Sequence, residues 1–412
     1  MRRHREIEPG RSRATFVIVG DGWSLAGLPV PDPTFALLLA VARHRPDVAR
    51  ARRAIAAGVD WDRFAELARL HRVSPLASRG LGLVAAVPAG DHPGLAKLAR
   101  VTARVARRSL MMARETMLLV RALNEAGIDV LVLKGTVEGA ASWDAIALRT
   151  AGDIDLYVAP AQAQQAVAVL RAQGLEPVEP LVLEAVGSAW VNPAEAVFRD
   201  RSKGSVVELH WRFGNPGALF PLDLPPMLAR AVVVPVASVG IPTLPFPERF
   251  LFLCTHGGKH GWTQLAWLCD IAANLRRMTA ADAQIVAQRA VALGIVRPLA
   301  VACHMAAGLL DAAIPAGLPA LDPPARWLLR RCVAPLLADP ERHAGRGSRG
   351  PWRILADNLV FSTRWRTRAA VLATILMPGK VDCTAGAGSS PALLMARRLL
   401  RLLRHGPKPA AE

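Results

Sequence analysis

The feature that most constrains this chain is a change of texture. Apolar residues recur at helical spacing through most of it, and only between Gly127 and about Phe213 do short β-runs alternate with helices. On the N-terminal side, Phe35, Leu38, Leu39 and Val41 form one helical set, and Trp61, Phe64, Leu67, Ala68 and Leu70 another. A further helix runs from Leu95 to Ala126 and stops at Gly127, a natural C-cap. Then Val130 to Leu133 read as a strand ending at Lys134-Gly135, Thr136 to Leu148 as a helical turn and loop, and Asp153 to Val158 as a half-buried strand. Pro160 opens a helix closed by Gly174. The segments 194–200 and 205–213 flank Arg201-Ser202-Lys203-Gly204, the pattern of a β-hairpin with Gly204 in the turn. A Pro-rich link over 235–247 returns the chain to Ala- and Leu-rich helices up to about residue 340, and the glycine-rich stretch 345–351 reads as a break.

The 412 residues exceed one ordinary core, so two or three packed units are expected. With 52% hydrophobic and 20% charged residues, the composition argues against a disordered chain and for a globular one. The cysteines (Cys254, Cys269, Cys303, Cys332, Cys383) are scattered and lack ligand spacing, which points away from a disulfide framework or zinc site and toward a reducing, cytoplasmic setting. No apolar run reaches the length of a membrane span, and the basic start MRRHRE is followed by a Gly- and Pro-broken stretch rather than a signal peptide. A net charge of +18 favours anionic partners: phosphates, nucleic acid or an acidic surface.

The chemistry centres on three carboxylates. Asp153 and Asp155 are two apart on one strand, so both side chains share a face while Ile154 points to the core. Two such carboxylates are held together by cations, as in two-metal phosphoryl-transfer sites. Glu208, outward on the strand after the hairpin between inward Val207 and Leu209, would supply the third ligand on a neighbouring strand. The bland alternative is that these acids are only the polar sides of half-buried strands. Against it, Lys134-Gly135-Thr136 ends the preceding strand, where glycine lets a phosphate approach the backbone and Lys and Thr can contact its oxygens.

Leu133-Lys134-Gly135, then Arg149-Thr150-Ala151-Gly152-Asp153-Ile154-Asp155-Leu156-Tyr157-Val158, then Glu208-Leu209-His210-Trp211 resemble a family of uncharacterised bacterial nucleotidyltransferases within the polymerase-beta-like superfamily. The likeness covers roughly residues 60 to 290. One departure from the superfamily is Gly135-Thr136 in place of the usual Gly-Ser, further from the DxD pair. The resemblance implies an α/β (α+β) nucleotidyltransferase core with a small mixed sheet, flanked by N- and C-terminal helical regions. The expected divisions are a flexible segment 1–32, helices over 33–126, the catalytic core over 127–240, a helical domain lining the cleft over 241–345, and a basic helical region over 346–412.

The implied reaction moves a nucleoside monophosphate from an NTP, ATP first among them, to an unknown acceptor (small molecule, peptide or protein), releasing pyrophosphate with Mg²⁺ or Mn²⁺. Asp153 and Asp155 would bridge the metals and Glu208 would hold the one that activates the acceptor. Lys134, Gly135, Thr136, Arg149 and Gly152 would lie along the triphosphate, although Lys134 could instead pair with a site carboxylate and Arg149 could be merely solvated. His210 shares the Glu208 face and could orient a ligand carboxylate or touch substrate; Trp211 reads as core. His256, Lys259 and His260 read as a helix wall facing the cleft, with Lys259 a phosphate or base contact and Asp270 structural. A non-catalytic scaffold of the same fold is the rival reading. One Tyr and no aromatic-rich basic strand argue against nucleic acid. The run from Leu393 to Arg404 suits either peripheral membrane contact or packing on its own domain.

Overall fold

A computed structural model of the chain describes residues 28–84, 92–179, 181, 195–202, 204–213, 220–344, 351–376 and 390–405. Most of the expected N-terminal flexible segment, the 345–350 break and Lys203 of the hairpin turn lie outside these. The chain is a mixed α/β protein in which helices enclose a small sheet.

Five helices come first: α1 (Pro33–Val41), α2 (Val48–Ala56), α3 (Trp61–Leu70), α4 (Ser74–Gly82) and the long α5 (Pro93–Glu125). Local chemistry sets their ends. Asp32 caps α1 by accepting from the backbone N–H groups of Thr34 and Phe35, with Pro33 in the first turn. After α5, Gly127 takes a φ of +71°, the left-handed conformation that lets the chain turn straight into the sheet.

The sheet has the order β1-β2-β5-β4-β3, with β1 (Val130–Leu133), β2 (Ile154–Val158), β3 (Leu175–Pro177), β4 (Glu195–Asp200) and β5 (Val206–His210). Only the β2/β5 pair is parallel; the others are antiparallel. Helix α6 (Gly135–Trp143) follows β1, and α7 (Ala163–Ala172) follows β2. The β4/β5 hairpin turns as its sequence suggests, with Gly204 at φ +69° and its N–H bonded to the Asp200 carbonyl at 2.8 Å.

Two expectations are corrected. β2 is buried along its whole length rather than half-buried, because helices cover its polar face as well as its apolar one. After α8 (Leu224–Leu228), much of the Pro-rich link is a second, two-stranded sheet of β6 (Val232–Val236) and β7 (Val239–Thr243). A two-stranded ribbon has a free edge on each strand, so Pro235 and Pro242 cost it little.

The remaining helices are α9 (Phe246–Lys259), α10 (Leu265–Arg277), α11 (Ala280–Leu293), α12 (Val296–Leu310), α13 (Pro323–Ala338), α14 (Pro340–Ala344), α15 (Pro351–Phe361), α16 (Trp365–Leu376) and α17 (Pro391–His405). No helix among the described residues is long and apolar enough to cross a membrane. In α17, Leu393, Leu399 and Leu400 are exposed while Leu394 is buried. Cys254, Cys269, Cys303 and Cys332 are buried.

Two apolar clusters divide the interior. One joins α1 to α4 with α9 to α13 and reaches the sheet face carrying Leu131, Leu133 and Tyr157. The other fills the opposite face, where Val130, Val132, Ile154, Leu156, Val207, Leu209 and Trp211 meet α5, α7 and the β6/β7 ribbon. The acids therefore lie on the face turned toward the helical half.

Candidate active site

The parallel register of β2 and β5 sets Asp155 beside Glu208. Since side chains on one strand face recur every second residue, Tyr157 follows Asp155 and His210 follows Glu208 on that face. The hairpin adds a third strand, whose Glu195 lies opposite His210.

His210 is the hub. Its Nε2 lies 3.4 Å from Asp155 Oδ1 and 3.3 Å from Glu208 Oε2, its Nδ1 lies 3.1 Å from Glu195 Oε2, and its ring stacks on Tyr157 at 4.4 Å. Burial alone would lower the imidazole pKa, but hydrogen bonding to Asp155, Glu195 and Glu208 lifts it well above the ordinary value. The three carboxylates thus favour a protonated ring, which would have to give up its Nε2 proton before that nitrogen could hold a metal.

Asp155 is fully buried, and Lys134 Nζ lies 2.8 Å from its Oδ1. Burial pushes this carboxyl up, yet Lys134 and His210 outweigh it and bring it to about 2. Lys134 behaves in the mirror sense: burial lowers its pKa, and the charges of Asp155 and Asp153 raise it by more. Of the two roles open to Lys134 from sequence, the ion pair is the one formed here. Asp153, just before β2, has its pKa raised by burial and by Asp155, with Lys134 opposing.

Ligand atoms of Asp155, Glu208 and His210 all lie within 4.8 Å of one another, and this set does not include Asp153. Asp155 Oδ2 is buried and has no hydrogen-bond partner among the described residues. Leaving a buried carboxylate oxygen unsatisfied is costly, and an oxygen-rich donor set completed by an imidazole fits a divalent cation.

The turn from β1 into α6 is unusual. Lys134 has a φ of +58° and Gly135 a φ of +45°, and strain in a non-glycine residue of this kind costs about 1 to 3 kcal/mol and collects at functional sites. The turn carries Gly135 close to Asp153: a Cβ at position 135 would lie 3.5 Å from the Asp153 carbonyl oxygen. No side chain caps the N terminus of α6, and such termini attract anions. Thr136 is buried in that first turn.

Arg149 braces the turn from below. Its Nε lies 2.9 Å from Asp270 Oδ2 and its Nη1 donates to the Gly135 carbonyl at 3.1 Å, while Asp270 also accepts from Trp143 Nε1 at 3.0 Å. Glu138 of α6 pairs with Arg249 of α9 at 2.6 Å and accepts from Asn274 of α10 at 2.7 Å. Asp270 thus joins Arg149 to Trp143, and α6 is tied to both helices of the opposing wall.

On that wall, His256 is half-buried; burial first, and then the nearby Lys134, hold its pKa well below the usual value. Its ring meets His260 at 4.7 Å and Trp267 at 5.4 Å. The helix ends at Lys259, which is exposed, and His260 is its C-cap, with its N–H still bonded to the His256 carbonyl at 3.2 Å. Gly257 is needed there because a Cβ would overlap the Trp262 ring.

A family described as uncharacterised nucleotidyltransferases matches residues 57–311, more than half of the chain. The chain belongs to that family. No curated protein matches it. The span matched in this nucleotidyltransferase family member holds the whole β-sheet, the acids and the α9/α10 wall.

Three site residues escape the sequence reading. Glu195 could have been found, because the Gly204 turn fixes the hairpin register that sets it opposite His210. Tyr157 could have been found by alternation from Asp155. Arg72, which packs on Gly152 and draws down the Asp153 pKa against its burial and Asp155, carries no local signal.

Proposed function

We propose that this protein transfers a nucleoside monophosphate from an NTP to an acceptor hydroxyl, releasing pyrophosphate, with Mg²⁺ or Mn²⁺. The observation that carries the reading is the Asp155, Glu208 and His210 cluster with its orphaned Asp155 Oδ2, in a chain of a nucleotidyltransferase family.

Asp155 and Glu208 would hold the cation, with Asp153 at the mouth of the same strand and His210 either as a ligand or as the cation that replaces one. When bound, the metal would supply charge neutralisation at the α-phosphate and activation of the acceptor oxygen. The chain's own part is alignment. The N terminus of α6, with Gly135 and Thr136, faces the phosphates; Lys134 balances the charge of Asp155; Arg149 keeps the strained turn in place. Glu208 and Glu195 mark the acceptor end. The acceptor hydroxyl gives up its proton to solvent as its oxygen bonds the α-phosphorus, while the bond from that phosphorus to the α,β-bridging oxygen breaks and pyrophosphate leaves with that oxygen. Positioning and electrostatics provide most of the acceleration in such transfers. The cytoplasm, where NTPs are abundant and thiols stay reduced, is the proposed location.

The test is incubation with each α-labelled NTP, Mg²⁺ or Mn²⁺ and a cell extract. Label should move from one NTP to an acceptor with pyrophosphate release, and Asp155→Asn should abolish it. Transfer undiminished in that variant would refute the reading.

A further inference from the structure

Two arginines reach the Asp153 loop from outside the strands that carry the acids. Arg72 lies between α3 and α4 with a φ of +58°, a conformation a non-glycine residue keeps only where its surroundings impose it. Those surroundings are visible. The Arg72 carbonyl accepts from Thr150 Oγ1 at 2.9 Å, the neighbouring His71 carbonyl accepts from Ala266 N at 3.1 Å, and His71 Nδ1 accepts from Leu265 N at 3.3 Å. The guanidinium is thereby laid on Gly152: a Cβ at that position would sit 2.5 Å from Arg72 Nη2. From the other direction, Arg108 on the exposed side of α5 donates Nη2 to the Gly152 carbonyl at 3.1 Å, and the adjacent Ser109 donates to the Arg149 carbonyl at 3.0 Å. Gly152 thus meets two guanidinium groups one residue from Asp153.

These contacts give the site a polarity. Toward β5 and β4 it is acidic, with Glu208 and Glu195. Toward the Gly152 loop it is basic, with Lys134, Arg72, Arg108 and the uncapped N terminus of α6. An NTP is itself polar in charge, because its terminal phosphates carry most of it. Arginine's planar fork suits phosphate oxygens, and Arg108 spends one of its five donors on Gly152. Arg149, the arginine the motif itself offers, is instead engaged by Asp270 and Gly135.

We infer that Arg72 and Arg108, both delivered by the N-terminal helices, form the subsite for the terminal phosphates of the NTP. This rests on the nucleotidyl-transfer reading above. It also gives Gly152 a role: only a glycine leaves room for the Arg72 guanidinium against the loop.

The experiment measures binding of the four NTPs, the matching monophosphates and inorganic tripolyphosphate to the full chain by calorimetry, alongside melting temperatures. Arg72→Gln and Arg108→Gln are each expected to weaken the preferred NTP and tripolyphosphate by about tenfold or more, the scale of one lost charge-assisted hydrogen bond, while the monophosphate changes by less than about twofold. Arg72→Lys should recover part of the loss, and Gly152→Ala should reproduce it by displacing Arg72. Arg108 lies on a helix surface, so its variant remains informative where Arg72→Gln destabilises the fold. Unchanged NTP affinity in both arginine variants overturns the inference alone, as does an equal loss for NTP and monophosphate, which would mark a bracing role. A wild-type chain that binds none of the four NTPs overturns the nucleotidyl-transfer reading, and the inference with it.

Discussion

The two aspartates of the DxD pair have opposite electrostatic positions, and their variants should differ accordingly. Asp155 is the counter-charge of Lys134 and His210, and its carboxyl is held at about 2 against the effect of burial by those two cations. Asp153 is pushed up by burial and by Asp155. Asp153→Asn and Asp155→Asn are both expected to abolish transfer, but only Asp155→Asn should cost stability, about 3 kcal/mol, because it leaves a buried lysine without its partner. Urea denaturation of both variants checks this, and equal stabilities would contradict the ion-pair assignment. A second consequence lies in His71, which is fully buried with a pKa brought down to about 3, by burial first and then by His343. The folded pKa lies below the unfolded value of about 6.5, so the unfolded chain takes up the proton first. Stability is unaffected above that value and falls as the pH drops from there toward about 3, by up to about 1.4 kcal/mol per pH unit. His71→Gln, which keeps an acceptor for the Leu265 N–H, should show a shallower decline between pH 6.5 and 4.5; parallel curves would rule His71 out as the source.

At the scale of elements, the wall opposite the acids depends on a close helix-to-loop fit. Gly257 sits in α9 where Trp262, itself fully buried, lies against the helix backbone. Gly257→Ala would gain helix propensity of about 1 kcal/mol or less. The methyl group, however, meets a rigid ring with nowhere to go, and overpacking costs about 1 to 3 kcal/mol, so the overlap wins. A melting temperature that rises in Gly257→Ala would show that the loop can move aside. The same elements show what was legible in sequence. β1, β2, β4 and β5 were readable because each is an apolar or alternating run between breaking residues, and alternation correctly put His210 with Glu208 and Trp211 with Leu209. The β6/β7 ribbon was hidden by Pro235 and Pro242, which mark a link unless the strands have free edges. The central role of His210 was out of reach, since it emerges only when β2, β4 and β5 lie in register. Arg72 was invisible for a different reason: its placement depends on a left-handed backbone held by residues distant in sequence.

For the molecule as a whole, the apolar clusters decide how much chain is needed to make the site. The acidic face of the sheet rests on the cluster that joins α1 to α4 with α9 to α13, so helices far apart in sequence share one interior. The family match begins after α2 and ends at the close of α12, and it therefore omits α1 and α13. Yet Phe35, Leu37, Leu38, Leu39 and Val41 of α1 are fully buried, as are Leu328, Leu329, Val333 and Leu336 of α13. Burying one such side chain stabilises by about 1.5 to 3 kcal/mol. Losing α1 alone would then remove a sum comparable to the whole net stability of a typical domain, about 5 to 15 kcal/mol. A fragment limited to residues 57–311 should consequently lack a cooperative melting transition and a near-ultraviolet circular dichroism signal, and should bind a hydrophobic dye, while the full chain shows the reverse. A cooperative transition in that fragment, with the near-ultraviolet spectrum of the full chain, would mean that the α1 and α13 contacts are dispensable and that the span matched by the family folds by itself.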